Sequence, residues 1–210
     1  MTILLQLISG VCWSIVYIEL IRGGFRDHTY GMPLFALALN ICWEFLYTVD
    51  GMATSLASPQ TWVNLVWAML DVVIISTYFK FGRNELPVYL RRNYGRLMVV
   101  ALLTSAAFQL AFYLEFGSHW GGIYSAFAQN AIMSILFVAM VINRNSTRGL
   151  SKLAIYAKWL GTLAPTILGG VIEQVDPFVL IAGGISFVFD LFLILRFDDF
   201  AVSSENKQNP

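Results

Sequence analysis

The sequence predicts an all-α polytopic membrane protein: a bundle of seven transmembrane helices with the N-terminus outside and the C-terminus in the cytoplasm. Three observations lead there. The 210 residues are 58% hydrophobic and only 12% charged, which is not the composition of a water-soluble domain. Stretches 2–21, 33–50, 61–80, 97–116, 120–142, 152–172 and 177–197 each approach the roughly 20 apolar residues needed to cross a bilayer core. The basic residues, finally, alternate from one connection to the next.

The first segment has no basic residue before it and no small-residue cleavage site after it, so it is read as a retained helix rather than a signal peptide. Connection one carries Arg22 and Arg26, connection three Lys80, Arg83, Arg91, Arg92 and Arg96, connection five Arg144, Arg148 and Lys152, and the tail Arg196 and Lys207. Connections two, four and six hold only Asp50, Glu115, Glu173 and Asp176 among charged groups. Lys158 alone breaks the one-sided pattern, and the positive-inside rule sets the orientation. The basic loops are topogenic and imply no nucleic-acid partner. Connection three, "FGRNELPVYLRRNYG", is expected either to lie on the membrane surface as an amphipathic piece or to be a solvated link. Residues 1–197 form one membrane domain and 198–210 a short polar cytoplasmic tail, with "SSENKQNP" from Ser203 read as disordered.

Each charge at the centre of a span costs about 2.5–3.5 kcal/mol on the insertion scale, so it demands a partner, a cavity or a proton. Glu44, Asp71, Lys158 and Asp190 are such residues. In the second segment Asn40, Trp43, Glu44 and Tyr47 follow helical spacing and share one face. The third repeats this with Asn64, Trp67, Asp71 and Tyr78, and the first with Gln6, Ser9, Trp13 and Tyr17. Lys158, Thr162 and Thr166 mark the sixth, Ser186 and Asp190 the seventh. Such stripes are expected to converge on an internal cavity. Glu44 is expected about 16 Å and Asp190 about 10 Å from the cytoplasmic ends of their segments, at 1.5 Å per residue.

Two readings of Asp190 stand: a catalytic acid, or the partner of Lys158 in a buried ion pair that ties two helices together. Glu44 is either an acid or a carboxyl bonded to a neighbouring helix, and Asp71 is either part of the site or a carboxyl that orients another group. Cys12 and Cys42 have no metal-ligand spacing with a His. "DDF" at Asp198 lacks the further acid of an Asp-rich magnesium site, and no Gly-rich phosphate loop is present. The expectation is chemistry without metal or cofactor. In hydrocarbon the ionised form of a carboxyl is poorly solvated, so the neutral acid is favoured and can serve as a general acid. Aromatic faces can steady a developing carbocation from which water is excluded.

The stretch "DHTYGMPLFALALNICWEF" resembles the small integral-membrane terpene cyclases of meroterpenoid and indole-diterpene biosynthesis, the pyripyropene and paxilline cyclase type. The likeness continues in "WAMLDVV", "AQNAIMSILF", "NSTRGLS", "KWLGT" and "FVFDLFLIL" and spans nearly the whole chain. The resemblance implies proton-initiated cyclisation of a prenyl chain, often epoxidised, on an aromatic or indole head group. It also implies Glu44 and Asp190 as the catalytic pair. Around them, Tyr17, Asn40, Trp43, Tyr47, Trp67, Asp71, Asn130 and Lys158 are the expected substrate-binding set. The implied partners are a lipophilic prenylated aromatic substrate, the bilayer, and an upstream prenyltransferase or epoxidase. The implied location is a bacterial inner membrane, or the endoplasmic reticulum in a fungus. The alternative is a seven-helix transporter using the same polar residues as a path; the lack of a repeat between the first and last three segments counts against it. A retinal receptor would need a lysine in the seventh segment.

Overall fold

The computed structural model describes residues 2–205, with side chains to residue 201. It is built from α1 (Thr2–Arg26), α2 (Leu34–Thr54), α3 (Pro59–Glu85), α4 (Tyr94–Arg144), α5 (Lys152–Ile167) and α6 (Pro177–Glu205), with no strand among the described residues. A 3-10 turn, Arg91–Asn93, precedes α4, and a π-helical turn, Leu168–Ile172, follows α5. All six α-helices belong to spans long and apolar enough to cross a membrane.

Local chemistry sets the helix starts. Prolines stand at the beginning of α2, α3 and α6, where the missing N–H has no intrahelical partner to lose. Ser151 Oγ caps α5 by accepting from Ala154 N at 3.0 Å, and Asp176 Oδ1 accepts from Phe178 N and Val179 N at 2.9 and 3.1 Å at the head of α6.

Helix α4 consists of two arms. At Gly117 the backbone leaves the helix with φ 73° and ψ 179°, which glycine adopts without a Cβ clash. Gln109 Nε2 donates to Gln129 Oε1 at 2.7 Å across the break, although 20 residues of straight helix span about 30 Å. The arms therefore lie antiparallel. The break falls between the expected segments 97–116 and 120–142.

Alternate connections gather at the two ends of the bundle. At the basic end Thr29 Oγ1 donates to Glu85 at 2.9 Å, Arg144 Nη1 to Tyr30 O at 3.0 Å, and Ser151 Oγ to Glu19 at 2.7 Å. At the other end Tyr113 donates to Asp50 at 2.7 Å and Tyr124 to Asp176 at 3.0 Å. The packed centre combines Val16, Leu20, Leu37, Ile74, Met98 and Phe137 from four helices. The outer surface is apolar, with Ile3, Leu103, Leu114, Ile181 and Leu195 all exposed, whereas Asn40, Glu44, Asp71, Gln109, Lys158 and Asp190 are buried. This inversion suits a hydrocarbon solvent, in which polar groups must find partners inside the protein.

Three expectations are corrected here. The helices outrun their apolar segments, so Arg22, Lys80, Arg83, Asp50 and Glu115 sit on helices rather than in connections; i→i−4 bonding does not stop where hydropathy falls. Connection three shrinks accordingly to 86–93, anchored by Arg91, whose Nε and Nη2 donate to Leu86 O and Asn84 O at 3.0 and 3.2 Å. The expected tail from 198 begins as helix, because α6 runs to Glu205; residues 206–210 lie outside the described ones.

Candidate active site

Residues of the five polar stripes fall into two hydrogen-bonded groups. The first joins α1, α2 and α3. Asn40 and Glu44 are four residues apart and so lie on one face of α2, opposite Tyr17 of α1 and Asp71 of α3. The Tyr17 hydroxyl donates to Glu44 Oε1. Asn40 Nδ2 lies 3.0 Å from that same oxygen and 2.9 Å from Asp71 Oδ2, and also contacts the Tyr17 hydroxyl oxygen. Its two N–H groups are thus shared among three acceptors. Glu44 is 1% exposed and Asp71 fully buried, and neither forms an ion pair among the described residues. No donor reaches the buried Glu44 Oε2 and Asp71 Oδ1, and the two carboxyls lie within hydrogen-bonding reach of each other, so a proton on one can be shared with the other.

Trp67 completes this group. Its ring stacks on Tyr17 at 5.8 Å and 19°, and its Nε1 donates to Ser14 Oγ at 3.2 Å, which fixes the phenol from behind. Trp43 and Tyr47 sit on the α4 side of α2. Their rings are 4.9 Å apart, Trp43 Nε1 donates to Gly122 O at 3.0 Å, and Tyr47 lies 6.1 Å from Tyr113. Gly122 has no side chain to displace Tyr47, whose ring passes 3.1 Å from where a Cβ would stand.

The second group joins α4, α5 and α6. Lys158 Nζ donates to both oxygens of Asp190, at 2.9 and 2.8 Å, and to Ser134 Oγ at 2.5 Å. The Trp13 ring lies 6.0 Å from the ammonium. One helical turn away, Asn130 Nδ2 donates to Thr162 Oγ1 at 2.8 Å. A small cavity beside the pair is lined by Val16, Leu20, Phe137 and Leu193. Glu44 and Asp190 thus belong to separate networks, and the arrangement around Asp190 is the ion pair with Lys158. Ser134 escaped the sequence reading; its spacing of four from Asn130 is the signal that marks it.

The described residues form a helical bundle with spans long enough to cross a membrane, turned polar-side-in around a carboxyl centre that has no cation among them. The chain belongs to the Pyr4-like transmembrane terpene cyclases, whose family profile matches residues 1–170. It is 33% identical to the Pyr4-family terpene cyclase mfmH of Annulohypoxylon moriforme over 159 residues, covering 74% of this chain and 64% of that protein. It is 30% identical to the terpene cyclase pyr4 of Aspergillus fumigatus, covering 80% and 68%, and 29% identical to asnovolin H synthase nvfL of Aspergillus novofumigatus, covering 76% and 65%. The chain therefore spans about two thirds of the length of these curated relatives.

Proposed function

We propose that the chain is a multi-pass membrane enzyme that cyclises a prenyl chain borne on an aromatic or indole head group, starting by protonation of a terminal epoxide or alkene. The observation that carries this reading is the burial of Glu44 among Tyr17, Asn40 and Asp71 without a cation. An ionised carboxyl is costly in such surroundings, so the neutral acid is the favoured form. A neutral acid facing hydrocarbon is what protonation of an alkene or epoxide requires.

In this mechanism the Glu44 proton adds to the epoxide oxygen, breaking its C–O bond, or to the terminal alkene carbon. The tertiary cation that results is attacked by the next alkene, forming a ring C–C bond and moving the positive charge along the chain. Loss of a proton from carbon ends the sequence and restores the acid, so the product is an isomer of the substrate. The faces of Trp67, Trp43 and Tyr47 steady the moving charge. Asp190 has its charge committed to Lys158, and the pair clasps α5 to α6 while Asn130 and Thr162 support it. Neither metal nor cofactor enters these steps.

The reading has a topology. The 51 residues of α4 would span about 77 Å if straight, more than twice a bilayer core of about 30 Å, so each arm makes one pass and the chain makes seven. The basic end is cytoplasmic and the N-terminus outside. With fungal relatives, the membrane is the endoplasmic reticulum in a fungal host and the inner membrane in a bacterial one. A prenyltransferase and an epoxidase are the enzymes that supply such a substrate.

The test uses purified protein in detergent with farnesyl and geranylgeranyl indoles and phenols, each with and without a terminal epoxide. A product of unchanged mass, absent with Glu44→Gln, is expected. Lack of conversion across the panel, as from a transporter, or full turnover by Glu44→Gln would overturn the reading.

A further inference from the structure

Two donors converge on a single oxygen of Glu44. The Tyr17 hydroxyl and Asn40 Nδ2 both bond Oε1, while no donor reaches Oε2. In a neutral carboxyl the oxygen that accepts two hydrogen bonds is the carbonyl oxygen, and the proton resides on the other. That assigns the labile proton of Glu44 to Oε2. The groups around the carboxyl are few: Tyr17 from α1, Asn40 on its own helix, and from α3 the Asp71 carboxyl, which accepts from Asn40 and lies within hydrogen-bonding reach of Glu44 itself.

We propose that Tyr17 is a positioning residue that sets the acid strength of Glu44, with Asn40 as the second donor and Asp71 as the anchor of the Asn40 amide; this rests on the reading of Glu44 as the acid. When Oε2 gives up its proton, negative charge develops over both carboxylate oxygens. Donors already aimed at Oε1 then bond an anion instead of a neutral carbonyl, and their contribution grows during the transfer. The gain falls on the transition state, because bonds to a charged acceptor are about twice as strong as those to a neutral one. The stacked Trp67 ring and the bond to Asn40 hold the Tyr17 hydroxyl in place beforehand, so no reorganisation is needed when charge appears.

The consequence is a dependence on substrate basicity. A terminal alkene is a much weaker base than an epoxide oxygen and needs a more complete proton transfer, so it draws more heavily on the two donors. Tyr17→Phe is expected to lower kcat on the alkene about 10- to 100-fold, the worth of a hydrogen bond to a charged group, and to lower kcat on the matched epoxide several-fold less, with KM unchanged on both. Incorporation of 3-fluorotyrosine at position 17 preserves the shape and strengthens the donor, and it is expected to raise the alkene-to-epoxide rate ratio. Where only one substrate class turns over, the fluorinated protein should show a higher kcat at constant KM on that class.

A merely structural Tyr17 would depress both substrates alike or alter KM. An unchanged ratio for both Tyr17→Phe and the fluorinated protein, with Glu44→Gln inactive, overturns the proposal and leaves the acid assignment standing. Turnover by Glu44→Gln, or no turnover by the parent protein, overturns both.

Discussion

Lys158 and Asp190 meet end-on across the α5–α6 contact, with Nζ 2.9 and 2.8 Å from the two carboxylate oxygens and both side chains buried. Removing one partner leaves a charge in hydrocarbon, which costs about 3–5 kcal/mol, whereas replacing both by apolar residues is close to neutral. Asp190→Asn should therefore sharply lower thermal stability in detergent, and Lys158→Met combined with Asp190→Leu should restore most of it. If the double variant melts no higher than Asp190→Asn, the clasp is not what Asp190 supplies.

Glu44→Gln keeps the volume and a hydrogen-bonding end but has no proton of comparable acidity. Product formation should fall by about 100-fold or more, within the range for general acids, while insertion and melting temperature stay near those of the parent. Measuring turnover and melting on the same preparation separates lost chemistry from lost fold.

Asp27 ties the first connection to the fifth. It accepts from Arg26 Nε and Nη2 at 2.6 and 2.8 Å and from Gly149 N at 2.8 Å, and Arg148 Nη2 bonds its carbonyl at 2.9 Å. Partial burial pushes its carboxyl up, but Arg26, the Gly149 N–H and Arg148 outweigh that and hold it below the ordinary carboxylate value. A depressed value in the folded state stabilises the fold above the unfolded value of about 3.9, and the contribution is lost as pH falls through the folded value. Melting temperature should drop on acidification below about pH 4, and Asp27→Asn should flatten that drop. A variant with the same acid limb as the parent would count against the tie.

Gly149 closes the same junction with φ +82°, and a Cβ there would stand 2.9 Å from Thr29 Cγ2 and 3.0 Å from Tyr30 O. Strain of this kind costs about 1–3 kcal/mol. Gly149→Ala should lower the melting temperature and expose the first connection to proteolysis, read by limited digestion at the basic end. Parent-like digestion would show that the junction relaxes freely.

The polar stripes were legible because helical spacing is a local property: Asn40 and Glu44 share a face in any α-helix. Membrane composition and the one-sided basic residues were legible for the same reason, since each is counted along the chain. Which stripe meets which was not. Tyr17 and Asp71 lie 27 residues before and after Glu44, and no spacing rule says that both reach it while Asp190 is taken by Lys158. Ser134 was passed over because its one signal, the spacing of four from Asn130, says nothing of the ammonium that the fold places against it.

The sequence by itself determined a helical, membrane-suited chain, its polar faces and its kinship with the terpene cyclases, all of which follow from composition, periodicity and motif order. The tertiary structure alone decided how the two arms that meet at Gly117 pack, through Gln109 and Gln129, and the division of the buried charges into a cation-free carboxyl centre and a closed ion pair. Those outcomes depend on distances between helices far apart in the chain. In hydrocarbon, a few ångströms settle whether a carboxyl keeps its proton or binds an ammonium.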